Sequence, residues 1–163
     1  MDRTQLRMIF LGRWFDAGVE PPNTSPSDRR GMARWMREKC NRPTMFPDPL
    51  HFVVKLGLRP VERRIVGFGC ECTDGHTIVY PPFDDARERG VRLYHGLAHC
   101  ILLRHGWIHS EADAWLLTGE LALPTCEARR VRTIEEAFEE QQWATHWLLL
   151  FQIASVRLQR KAA

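Results

Sequence analysis

At 163 residues and 44% hydrophobic, the chain is long enough for one domain with a real core and too short for two ordinary ones. Its net charge of +3, from 23 Lys and Arg against 20 Asp and Glu, is small and spread out, which gives little support to electrostatic nucleic-acid binding. The longest apolar runs fall far short of the roughly 18 residues of a membrane span, no N-terminal signal pattern is evident, and five cysteines without regular spacing suit a reducing compartment, so a cytoplasmic protein is expected.

Taken in chain order, Thr4 to Phe15 places Leu6, Ile9, Phe10 and Trp14 at helical spacing, and Gly18 with Pro21, Pro22 and Pro26 follows as a connector. Residues 1–26 therefore read as an N-terminal helix and proline-rich connector, ahead of a main domain over 27–163. Ser27 is a candidate cap for a helix that turns Met32, Trp35, Met36 and Cys40 inward and breaks before Pro43. Asp48-Pro49 opens a short helix, with Leu50, Val53, Val54 and Leu56 as its apolar residues and Gly57 as its stop. Arg64 to Cys72 and His76 to Tyr80, separated by Thr73-Asp74-Gly75, carry the composition of a β-hairpin.

A helix from near Ala86 or Gly90 to Arg104 follows, with Leu93, Leu97, Ile101 and Leu102 expected in the core. Ser110 caps the next helix, with Asp113 at the reciprocal position of a capping box, and Pro124 closes it. Thr133 and Glu136 match the capping box in its strict form. They open a last helix that buries Phe138, Ala144, Trp147, Leu148 and Phe151 and either nears the chain end or breaks around Ser155. The expected fold class is α+β: a mostly helical single domain with a small antiparallel sheet beside the helix that carries His95 and His99.

That helix holds the informative motif, His95-Gly96-Leu97-Ala98-His99. Histidines four apart on a helix project from adjacent turns of one face, so their ring nitrogens can converge on one ion. In the HExxH pattern of zinc peptidases the residue after the first histidine is a glutamate that relays protons; here it is Gly96, which cannot. A third ligand is needed, and Glu111, at the start of the next helix, is the best candidate. The plain alternative is a first-turn acid that complements the helix dipole. Tyr94, Asp113 and His109 are candidates for the shell around the ligands, although a loop histidine is more often a surface residue. Glu71 and Glu120 are candidates to replace the missing base, but Glu120 lies nine residues beyond Glu111, about half a turn out of phase. Cys70 and Cys72 with His76 form a rival metal set, lacking the CxxC pairs of ordinary zinc modules.

The run from His95 to His99, followed by Glu111-Ala112-Asp113-Ala114-Trp115-Leu116-Leu117 and ending at Leu123-Pro124, resembles the ImmA/IrrE group of metallopeptidase-like domains. The order of a helix, a short helix ending at Leu56-Gly57-Leu58, a hairpin and a histidine helix is similar too, so the resemblance spans about Arg29 to Pro124. It implies zinc as cofactor, His95, His99 and Glu111 as ligands, and a regulator that cleaves or releases repressor proteins. The departures are Gly96 at the general-base position and Asp113 where asparagine is common. Three functions follow as expectations: a pseudopeptidase that binds a protein partner such as a repressor through the former substrate cleft; an active zinc-dependent endopeptidase with a non-standard base; and a DNA-binding regulator using Arg157, Arg160 and Lys161.

Overall fold

The computed structural model describes residues 22–41, 46–64, 71–72, 75–108 and 110–162, so the helix expected over residues 4–15 lies outside the described residues. Helix α1 (Pro26–Lys39) is capped by Ser25, not Ser27. The cap lies two residues closer to the chain start, Pro26 needs no amide partner at the first helical position, and Asp28 completes a capping box with Ser25. Met32, Met36 and Cys40 are buried as expected, with Trp35 packed at the edge of the core.

Helix α2 (Pro49–Lys55) starts at the Asp48 cap, whose carboxylate accepts from Leu50 N, and the chain turns through Gly57 at φ +69°. Its inward face is Pro49, Phe52 and Val53. Leu50 and Val54, expected to be apolar contacts, are exposed, because a seven-residue helix turns only one narrow stripe to the core.

Strands β1 (Arg59–Glu62), β2 (Glu71–Cys72) and β3 (Thr77–Tyr80) form one sheet in the order β1-β3-β2. The β2–β3 pairing is antiparallel, as the hairpin composition implied. The sheet as a whole is mixed, not antiparallel, because β1 pairs with β3 in parallel, Arg59 opposite Thr77. Arg-Pro-Val-Glu has no strand alternation, and its ends are exposed, so β1 gains its place from the partner strand.

Helix α3 (Ala86–Arg104) begins at Asp85, which accepts from Arg87 N and Glu88 N, and buries every residue from Gly90 to Ala98. It lies between β3 on one side and helix α4 (Glu111–Ala122) on the other. The cap of α4 is the expected one: Ser110 and Asp113 bond reciprocally. From Ala112 to Ala122 this helix is buried throughout, packed against α1, α3 and the C-terminal helix. Pro124 ends that run and starts a four-residue helix α5 (Thr125–Ala128), which the sequence did not suggest.

Helix α6 (Ile134–Glu140) starts at Thr133, which accepts from Glu136 N, while the Glu136 carboxylate accepts from Arg132 N, one residue before the cap. The single long helix expected from here is two helices, broken at 141–145 and not near Ser155, with α7 (His146–Ala162) completing the chain. The break is held from within, where Gln141 Oε1 accepts from Trp143 N, and from outside the segment. Arg87 of α3 donates to the carbonyls of Phe138, Gln141 and Ala144 and places its guanidinium over the Phe138 ring. A backbone close approach accompanies it: a Cβ at Gly90 would lie 2.5 Å from Trp143 O.

Cys100 is disulfide-bonded, so the cysteines are not all thiols as their odd number suggested; Cys40 and Cys126 are free. Among the described residues, no helix is long and apolar enough to cross a membrane.

Candidate metal centre

The packing of α3 on α4 brings the three anticipated ligands together. His95 and His99 are one turn apart on α3, and Glu111 is the first residue of α4, reached after the turn at His105-Gly106, where Gly106 takes φ +70°. His95 Nε2 lies 3.2 Å from His99 Nε2 and 3.3 Å from Glu111 Oε2, and His99 Nε2 lies 3.2 Å from Glu111 Oε1. Among the described residues this is the one group of three or more His, Cys, Asp or Glu whose ligand atoms fall close enough to share an ion.

The spacing fits zinc. A tetrahedral ion with bonds of 2.0–2.1 Å spreads its ligand atoms about 3.3 Å apart, and two imidazoles with one carboxylate are an ordinary three-ligand set that leaves a fourth position open. The site is graded in exposure: His95 is buried, His99 half-buried, and the Glu111 side chain 56% exposed, so the open side lies toward solvent past Glu111.

Electrostatics prepare the same donors. Burial pushes the His95 imidazole down to about 4, against the pull of Glu111, so the ring is neutral at physiological pH and can offer a lone pair. Hydrogen bonds from His95 and then His99 hold the Glu111 carboxyl far below the usual carboxylate range, despite its partial burial. A neutral His95 nitrogen and an anionic Glu111 are protonation states that a divalent cation requires of its ligands.

Sequence reasoning missed two neighbours. The Trp115 indole is stacked on the His95 ring, with centroids 3.8 Å apart and planes at 17°. Thr118 Oγ1 lies 3.3 Å from His95 Nδ1, and its hydroxyl donates to Ala114 O at 2.7 Å. Glu111, Trp115 and Thr118 are spaced by four and three, one face of α4, and that spacing was the available signal.

The candidates for the surrounding shell separate. Tyr94 is fully buried, and its hydroxyl donates to Pro47 O, at the entry to α2, with burial raising its pKa; it is committed there, away from the histidine rings. Asp113 accepts from Asn23 N, Thr24 N, Ser110 N and the hydroxyls of Thr24 and Ser110, a role in anchoring the chain before α1 to the first turn of α4. His109 lies outside the described residues, as do Cys70 and the side chains of Glu71 and Cys72. Glu120 is turned away as its phase implied, accepting from Thr125 N, Thr125 Oγ1 and Gln152 Nε2.

Gly96 sits within α3 between the ligands, so the position that would carry a proton-relaying carboxylate has no side chain. No family model, curated protein or solved structure matches this chain. The site is therefore judged on its own geometry. Arg157, Arg160 and Lys161 are exposed near the end of α7.

Proposed function

We propose that this protein is a zinc-binding, metallopeptidase-like regulatory protein of the ImmA/IrrE type that has lost hydrolysis and binds a protein partner, such as a repressor, over the former substrate cleft. The convergence of His95, His99 and Glu111 within 4.8 Å carries the metal half of this reading. A bound zinc would supply Lewis-acid polarisation and an acidified water at its fourth position. The chain's own residues do the rest. His95 offers a neutral nitrogen, His99 a second imidazole, Glu111 an anion, and Trp115 walls off one face of the His95 ring.

Proton movement is what the described residues do not provide for at the Gly96 position. Peptide hydrolysis needs a group that takes a proton from the attacking water and returns it to the leaving amine, a contribution of about 100- to 10,000-fold. Gly96 supplies no such group, and Glu120 is committed to Thr125 and Gln152. Two exposed apolar residues flank the ligands in the chain: Leu103, one turn after His99, and Ile108, three residues before Glu111. Apolar side chains beside an open polar site suit a protein surface as ligand.

Elemental analysis of protein purified without a histidine tag tests the reading, with a His95→Ala, His99→Ala double variant as control. About one zinc per chain, lost in the double variant, is expected for a three-ligand site. Wild-type protein without zinc would remove the metal centre. Zinc-dependent cleavage of peptides by the wild type, absent from the double variant, would overturn the loss of hydrolysis. A partner recovered by cross-linking should remain bound to Gly96→Glu and be lost from Leu103→Asp.

A further inference from the structure

The geometry points to Thr118 as the positioning residue of the metal centre: its hydroxyl oxygen receives the Nδ1 proton of His95 and so leaves Nε2 bare and aimed at the ion. This rests on His95 being a metal ligand, and it concerns how that ligand is held.

A neutral imidazole carries one proton, and coordination through Nε2 requires that proton to be on Nδ1. In a buried position the Nδ1–H needs an acceptor, since an unpaired donor away from water is costly. Thr118 Oγ1 stands 3.3 Å from Nδ1. Its own proton is already placed, donated at 2.7 Å to Ala114 O one turn earlier in α4, a common arrangement for a helical threonine. With the hydroxyl proton so used, the oxygen faces His95 as an acceptor. The direction of the second hydrogen bond follows: Nδ1–H to Oγ1.

The same helix restrains the ring in its other degrees of freedom. Trp115 lies flat on it at 3.8 Å, which opposes rotation about the Cβ–Cγ bond, and Glu111 approaches Nε2 from the start of the helix. One face of α4 thus contributes a ligand, a wall and a hydrogen-bond acceptor to the same imidazole. Partners of this kind orient histidine ligands and raise their basicity, and their loss typically weakens metal binding about 10- to 100-fold.

The test is zinc affinity by competition with a chromophoric chelator for the wild type, Thr118→Val and Thr118→Ser, with urea unfolding of each metal-free protein alongside. Valine matches threonine in shape and lacks the acceptor; serine restores the oxygen. Thr118→Val should bind zinc about 10- to 100-fold more weakly, and Thr118→Ser should recover to within about threefold of the wild type. In the zinc-loaded wild type, a nitrogen-15 correlated imidazole Nδ1–H of His95 should be protected from exchange, and it should exchange rapidly in Thr118→Val. Equal zinc affinity in the wild type and Thr118→Val would overturn the positioning role while leaving the metal centre standing. No zinc binding by the wild type would instead remove the metal centre and this role with it. If Thr118→Val fails to fold, a Thr118→Ser protein whose His95 Nδ1–H exchanges as fast as a surface histidine overturns the role.

Discussion

Helix α4 serves two polar clusters of opposite character. On one side Asp113 and Glu120 are carboxylates surrounded by donors: Asp113 accepts five hydrogen bonds, and Glu120 accepts three. On the other side, His95 Nε2 lies 3.2 Å from His99 Nε2, and the two nitrogens stand 3.3 and 3.2 Å from the two Glu111 oxygens, three potential ligands facing one another. The first cluster is complete as it stands, and the second has the composition of a site that a cation completes. Buried polar groups that are fully satisfied hold a fold together, whereas two imidazoles and a carboxylate converging at an open edge are donors that a metal ion can share. The contrast also shows why an aspartate suits position 113. All five groups facing Asp113 are donors, and an amide would turn an NH2 toward some of them.

Substitutions on the two sides should therefore separate stability from metal binding. Asp113→Ala leaves three backbone amides and two hydroxyls without their acceptor and is expected to cost about 3 kcal/mol or more in urea unfolding. His99→Ala should cost the metal-free protein less than about 1 kcal/mol, yet lower zinc affinity by more than about 100-fold, beyond the range of an outer-shell change. Similar stability losses in the two variants would break the distinction. Gly119→Ala sharpens it at intermediate size. A Cβ there would meet Gln152 Oε1 at 2.6 Å, disturbing the side chain that donates to Glu120, and overpacking of this kind costs about 1–3 kcal/mol. Zinc affinity should not change with it.

The smallest effect is in the pH dependence of stability. Burial works to raise the Asp113 pKa, but the hydrogen bonds from Thr24, Asn23 and Ser110 outweigh it and leave the carboxyl below its ordinary value. The unfolded chain then binds the proton more readily, so the stabilisation is fully present above the unfolded pKa near 3.9 and fades as pH falls through the lower folded value. Asp113→Asn should flatten the acid limb of a stability profile relative to wild type; an unchanged acid limb would show that the cluster holds its charge for no net gain.

Much of this was legible in the residues themselves. The HxxxH spacing and Glu111 after a glycine turn marked the three residues that the fold brings together, because a helix repeats its face every three to four residues and a short connection brings the next helix back beside it. Ser110 with Asp113 marked the start of α4 by local chemistry alone. What escaped depended on contacts between elements. Thr118 is an unremarkable helical threonine until α3 is laid on α4, and Tyr94, next to a ligand in sequence, points to Pro47 because consecutive helical residues face about 100° apart. Strand β1 has charged ends and a proline, and only its pairing with β3 makes it a strand.

The interruption between α6 and α7 has a consequence for how the chain reaches this fold. Nothing in Gln141 to Thr145 is a helix breaker by composition, and the carbonyls freed there are met by Arg87, more than fifty residues earlier. A peptide of residues 133–163 on its own lacks that guanidinium, and its intrinsic preference is to continue as one helix. The bend thus leans on a tertiary contact with the amino-terminal end of α3, which ties the path of the last two helices to a side chain the ribosome delivers long before them.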